Sequence, residues 1–174
     1  KKEISYINNK FEIEKIINFK GIKQGIENTN YLLKSRNKKF ILTIFEKRVS
    51  QNEIPFFMKL MDQLNNSKIN CPKPQKNKNG NYLIKIKNKS ACIVSFLEGK
   101  DKKLLNLKNC HEIGKMIAGM HLSTKKINLS RKNSMGIKNL NPLFSSVKFK
   151  SKKFTNIEKF LKTNFKDIKN NWPK

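Results

Sequence analysis

Arginine is nearly missing from this strongly basic chain. Of 39 basic residues among 174, only Arg36, Arg48 and Arg131 are arginines; lysine makes up the rest, and with 12 acids the formal charge is +27. Nucleic-acid surfaces concentrate arginine, whose fork reads bases and phosphates bidentately, and set aromatics among the basic residues. Lysine spread evenly beside abundant asparagine and isoleucine does neither. The charge therefore reads as a compositional bias of the kind a low-GC genome produces, with a basic nucleic-acid-binding module as the minority reading. Cysteine is scarce too: Cys71, Cys92 and Cys110 are odd in number and form no C-x-x-C. That excludes a disulfide framework or a zinc ribbon and fits the reducing cytoplasm. No run reaches the ~20 apolar residues of a membrane span, and no apolar signal core follows Lys1, so no membrane partner is expected.

Several chemistries are missing as well. The histidines are His111 and His121 alone. His111-Glu112 opens like a zinc-protease helix, but Lys115 stands where the second histidine is required, which leaves a solvent-facing pair. Gly114 to Gly119 has the glycine spacing of a phosphate loop, yet Met120-His121 replaces Lys-Ser/Thr inside a helical pattern, so helix packing is the reading. His121 falls beside the apolar stripe of that helix and is expected as a hydrogen-bonded core residue. No G-x-S-x-G is present, and no metal ligand set emerges.

A hydrophobic content of 37% suffices for a core. Ile4 to Ile17, with Ile13, Ile16 and Ile17, predicts a short amphipathic helix. Strands are expected near Asn18–Lys23, Asn30–Ser35 and Phe40–Phe45, the last two joined by polar Arg36–Lys39, giving an antiparallel meander. Pro55 after Ser50–Glu53 marks a helix start, and Phe57, Leu60, Met61 and Leu64 form its apolar face. Cys71-Pro-Lys-Pro74 is a rigid extended connection to a strand at Tyr82–Ile86. Ala91–Leu97 is the most apolar strand and the expected centre of the sheet. Beyond Glu98–Lys103 the period changes to helical, with Cys110, Ile113, Met116, Ile117 and Met120 on one stripe; Ser123–Lys153 is a polar loop, and Ile157 to Ile168 mark a further helix. Strands with one packed helix followed by helices define an α+β chain, divided as 1–96 and 97–174.

Phe19 to Glu46 organises the rest. Gly21 and Gly25 allow a tight turn between two strands, with Asn28, Thr29 and Asn30 as short polar groups beside it, a geometry able to lie over phosphates.

The blocks GIKQGIENTNYLL (21–33), FILTIFEKRV (40–49), IPFFMKLMDQL (54–64), CPKP (71–74), ACIVSFLEG (91–99) and IGKMIAGMHL (113–122) resemble the bacterial homoserine kinases of the aminoglycoside-phosphotransferase-like type. They occur in that family's order and span nearly the whole chain, GIENTNY with ILTIFEKR being the most specific. The resemblance implies a protein-kinase-like fold: a sheet-rich nucleotide-covering lobe (1–96), then a hinge and the start of a helical lobe (97–174). It implies transfer of the ATP γ-phosphoryl group to the hydroxyl of L-homoserine, with Mg²⁺, on the route to threonine. By the same resemblance Gly25, Ile26, Glu27, Asn28 and Asn30 cover the phosphates, Thr43 stands in the strand facing them, and Ser95, Phe96 and Leu97 form the hinge that meets adenine. Another small-molecule kinase of this fold, for choline, an aminoglycoside or a sugar, is the alternative.

Three departures stand beside it. Thr43 occupies the position where relatives of the fold carry a phosphate-binding lysine or arginine, and Met58 the position of its glutamate partner, leaving Glu46, Lys47 or Arg48 as substitutes. Phosphoryl transfer in this fold needs an aspartate two residues after a histidine, yet Ile113 and Ser123 follow the two histidines at that spacing. In the family a segment like Asn171–Lys174 shortly precedes the catalytic loop. The chain is therefore expected to be an inactive N-terminal fragment, short of a few residues at its start and with its catalytic and metal-binding residues beyond Lys174.

Overall fold

Runs of β-branched and aromatic residues pack on both sides of a sheet when alternate residues find a helix to cover them. The computed structural model, which describes residues 2–23, 27–46, 50–132, 136, 139, 142 and 155–171, shows that arrangement. Helix α1 (Lys2–Lys10) precedes strands β1 (Asn18–Ile22), β2 (Thr29–Lys34) and β3 (Lys39–Ile44). Then come α2 (Ile54–Asn66), β4 (Leu83–Ile86), β5 (Lys89–Ser95), α3 (Leu107–Thr124) and α4 (Thr155–Asn171). The five strands form one antiparallel sheet in the order β1-β2-β3-β5-β4. The meander is as expected, but β3, not β5, is the middle strand; the apolarity of β5 reflects burial between β3 and β4.

Alternation along the strands sorts the core into two layers. Leu33, Phe40, Leu42, Ile84, Ala91 and Ile93 face α1 and pack with its Ile7 and with Phe11, the residue after it. Phe45, Cys92 and Val94 face α2 and bury Ile54 and Met58, side chains whose removal from water stabilises by roughly 2–3 kcal/mol each. Two helices thus sandwich the sheet, where one was expected.

Helix α1 ends at Lys10 and does not run on to Ile17. The side chain of Asn8 closes it: its amide donates to the Ile16 carbonyl at 3.0 Å and its oxygen accepts from the Ile16 N–H at 2.8 Å, which holds residue 16 extended. The Ile17 N–H then donates to the Lys34 carbonyl and leads into β1. In α2 the buried residues are Ile54, Met58 and Leu64, while Phe57 and Met61 are only partly covered, so its packed face is rotated from the expected one. Cys71–Pro74 is extended as expected: Lys73 and Gln75 bond to Ser95 and Ile93, continuing the sheet beyond β4. The β4–β5 connection is a two-residue turn with Lys87 and Asn88 both at positive φ, the twist that a tight hairpin requires.

α3 begins with a reciprocal cap in which Asn106 accepts from the Asn109 N–H at 2.9 Å and Asn109 accepts from the Asn106 N–H at 3.4 Å. None of its residues is buried, and His121 is exposed, not a core residue. The chain separates into two compact units, Lys1–Ser130 and Arg131–Lys174; the second is represented by α4, and most of the expected 123–153 loop lies outside the described residues. No helix among the described residues is long and apolar enough to cross a membrane.

Candidate functional site

Two polar positions, one on β2 and one on β3, meet at one end of the sheet. In the β2–β3 register Asn30 stands opposite Thr43, and Thr43 Oγ1 donates to Asn30 Oδ1 at 2.8 Å. That bond fixes the Asn30 amide so that its NH₂ is the end left to donate, and its only described contact there is a long one, 3.5 Å, to the Asn28 carbonyl. One residue beyond the ladder, Asn28 Oδ1 accepts from the Glu46 N–H at 3.3 Å, so a side chain extends the β2–β3 pairing past its last backbone rung. The site is neutral at its centre: two amides and a hydroxyl, all half-buried.

Of the other predicted residues on this turn, Glu27 is exposed at its edge, whereas Gly25 and Ile26 lie outside the described residues. Of the substitutes for a phosphate-binding lysine, Lys47 and Arg48 also lie outside them. Glu46 is engaged elsewhere: Thr29 Oγ1 donates to its Oε1 at 2.9 Å, and Lys89 Nζ pairs with its Oε2. These contacts hold its carboxyl below the usual carboxylate range, Lys89 first and Thr29 second.

The predicted hinge sits at the far end of β5. Ser95 pairs with Phe40, three residues along β3 from Thr43, so hinge and turn are ~10 Å apart along the strand direction. The Ser95 N–H donates to the Lys73 carbonyl at 2.9 Å and the Phe96 N–H to the Lys39 carbonyl at 3.2 Å. Lys39 Nζ also lies 5.3 Å from the Phe96 ring centroid and pairs with Glu98 at 2.8 Å. Leu97 is 40% exposed and makes no backbone hydrogen bond among the described residues. Of the three N–H groups of the predicted hinge, that of Leu97 is the one with no backbone partner among the described residues.

Between turn and hinge the wall is apolar. Cys92, opposite Thr43, is buried, and burial pushes its thiol up to about 12. Met58, at the position of the missing glutamate, is a core residue at 2% exposure. At the two positions where the resemblance places a lysine–glutamate pair, the structure has a hydrogen-bonded threonine and a packed methionine. A cavity of about 450 Å³, lined by Ile4, Ile7, Tyr31, Leu42 and Ile44, lies on the α1 face, behind the sheet from Asn30 and Thr43. No three histidine, cysteine or acidic side chains converge as a metal site among the described residues.

Sequence reading missed the Thr29–Glu46–Lys89 contacts. The signal available was strand alternation, which sets Thr29 and Asn30 on opposite faces, but the pairing of Glu46 with Lys89 depends on a register between strands over forty residues apart.

An amicoumacin kinase solved in complex with AMP-PNP, Ca²⁺ and Ami shares the fold at a TM-score of 0.58 and 16% identity, over 75% of this chain and 41% of that one. The sheet with its flanking helices and the helical segment that follows has the kinase-like fold of these phosphotransferases. The chain belongs to the APH phosphotransferase enzyme family, whose profile matches residues 18–173. Among curated relatives, a homoserine kinase of Parvibaculum lavamentivorans is 37% identical over 136 residues, 78% of this chain and 42% of the relative. A homoserine kinase of Afipia carboxidovorans is 32% identical over 164 residues, 94% of this chain and 50% of the relative. The chain therefore spans about half the length of these relatives or less.

Proposed function

We propose that these residues form the nucleotide-covering half of a homoserine kinase, which passes the γ-phosphoryl group of ATP to the hydroxyl of L-homoserine and yields O-phosphohomoserine for threonine synthesis. The observation that carries the reading is the Asn30–Thr43 bond at 2.8 Å, which joins the two most specific blocks, GIENTNY and ILTIFEKR, in one polar sheet end. Curated relatives named homoserine kinase at 32–37% identity support the substrate.

ATP supplies the transferable group. Residues 1–96 hold it and 97–174 open the helical lobe. Asn28 and Asn30, with Gly25, Ile26 and Glu27 of the same turn, give backbone and amide donors to the phosphates, and Thr43 orients Asn30 for that task. The Leu97 N–H and the carbonyls of Ser95 and Phe96 meet the adenine edge. Donors fixed before the ligand arrives lose little to reorganisation, which is how a neutral site can serve in place of a charged one.

The described residues present no acidic cluster for Mg²⁺, and no H-x-D stands in the sequence, so no metal step and no catalytic base is assigned to them. Those roles fall to the part of the protein that corresponds to the remaining length of its relatives. A substrate panel on the complete protein tests the reading. ATP-dependent phosphorylation of homoserine in preference to choline, an aminoglycoside and a methylthioribose-like sugar supports it; preference for any of the others replaces homoserine as the substrate.

A further inference from the structure

The polar end of the sheet is held from behind. Strand alternation places Asn30 and Thr43 on the α2 face, where the nucleotide is proposed to lie, and Thr29, Ile44 and Glu46 on the α1 face. On that rear face Glu46 sits between two strands. Thr29 of β2 donates to one carboxylate oxygen at 2.9 Å, Lys89 of β5 pairs with the other, and the Glu46 N–H donates to Asn28 Oδ1 at 3.3 Å. One residue thus ties the ends of three strands together at the level where the covering turn departs. Lys89 is itself fixed in place, as the first residue after the Lys87-Asn88 turn and opposite Ile86 in the β4 ladder.

We infer that Glu46 is a positioning residue for nucleotide binding, acting through Thr29, Asn28 and Lys89 without touching the ligand. This rests on the kinase reading above, and the reasoning is geometric. A lysine side chain reaches a phosphate through a long flexible stem and tolerates small displacements of its backbone. Amide and hydroxyl donors on short side chains do not, because a hydrogen bond weakens steeply once distance and angle depart from ideal. With Thr43 in place of lysine, the hold on the phosphates depends on where Asn28 and Asn30 stand. Two bonds set that: Thr43–Asn30 in front and Glu46–Asn28 at the edge. The rear contacts from Thr29 and Lys89 keep Glu46 in register to make the second. Both carboxylate oxygens are used on the rear face, so Glu46 serves as a strut behind the site and not as a ligand of the phosphates or of a metal.

The test uses the complete protein, with ATP as the probe in calorimetric titrations, and the variants Glu46→Gln, Thr29→Val, Lys89→Met, Thr29→Ser and the double Glu46→Gln/Lys89→Met. Each of the first three is expected to weaken ATP binding about three- to tenfold, the loss of one net hydrogen bond, with the KM for the acceptor unchanged. Thr29→Ser, which keeps the hydroxyl, retains wild-type affinity. The double variant matches the worse single variant, since both break one unit. Amide hydrogen exchange at Asn28–Asn30 without ligand is a second readout that does not depend on the reaction: it speeds up in Glu46→Gln. Faster exchange in a protein that proves not to phosphorylate homoserine supports the brace and defeats only the substrate reading. Unchanged ATP affinity together with unchanged exchange in folded Glu46→Gln and Thr29→Val overturns the inference. If Glu46→Gln fails to fold, the Thr29→Val against Thr29→Ser contrast decides by the same two readouts.

Discussion

Thr43 Oγ1 donates a hydrogen bond to Asn30 Oδ1 at 2.8 Å, at the position where the resemblance to kinases places a phosphate-binding lysine. The consequence is testable by substitution in both directions. Thr43→Val removes the donor and leaves the half-buried Asn30 oxygen unpaired, costing about 1–3 kcal/mol of stability. Thr43→Lys, the residue the wider fold would suggest, destabilises more, because Met58 offers no carboxylate and the charge enters a half-buried apolar wall. Thermal denaturation of both variants checks the order: wild type, then valine, then lysine.

Met58 carries the complementary prediction. It is buried among Phe45, Ile54, Cys92 and Val94, so Met58→Ala is expected to cost about 2–5 kcal/mol through lost contacts and the cavity left behind. Met58→Glu costs at least as much, as its carboxylate would be buried without a cation. Denaturant midpoints measure both. A Met58→Glu protein as stable as wild type would show that this position is not the core residue described here.

Tyr82 and Asp62 set an alkaline limit. Tyr82 Oη donates to Asp62 Oδ2 at 2.8 Å; burial first, and then the Asp62 hydrogen bond, push the phenol from its usual value near 10 up to about 12. The folded state therefore keeps this proton to higher pH than the unfolded chain does. The stability it brings is complete below pH 10 and is lost as pH rises through about 12. Cys92, raised to about 12 by burial, adds in the same direction from about pH 9 upward. Urea denaturation should show a falling midpoint across this range, and Tyr82→Phe a shallower fall.

The stripe on α3 gives a prediction about association. Ile113, Met116, Ile117 and Met120 are 36–55% exposed along one face, a larger apolar run than isolated surface residues make. The 174-residue chain is expected to self-associate with rising concentration in sedimentation velocity. Ile117→Lys, at an exposed position of that face, reduces the association without lowering the melting temperature.

What was legible in the sequence followed the backbone period. The runs YLLK, FILTI and ACIVS became β2, β3 and β5 because β-branched and apolar residues there fill both faces of a sheet, and Pro55 falls in the first turn of α2. Boundaries set by distant partners were not legible. Ile13, Ile16 and Ile17 suggest a helix by spacing, but Asn8 binds both backbone groups of Ile16 and keeps that stretch extended. In α2 two apolar faces overlap, and the sheet selects the one with Ile54 and Met58. The site divides in the same way. Asn28, Asn30 and Thr43 were named from the residues and their resemblance, and the structure brings them together. The Glu46 contacts that fix Asn28 from behind require the register between β2, β3 and β5, which no local pattern encodes. The hinge was named as a run of three; that Ser95 and Phe96 commit their N–H groups to Lys73 and Lys39 depends on the fold of residues 71–75 and the start of β3.

The most direct test of the account is transfer of label from γ-labelled ATP to L-homoserine by the complete protein, with product identified as O-phosphohomoserine. The account predicts labelled O-phosphohomoserine, formed with a raised KM for ATP in Asn30→Ala. Absence of labelled homoserine from an enzyme that binds ATP and labels a different acceptor would contradict it.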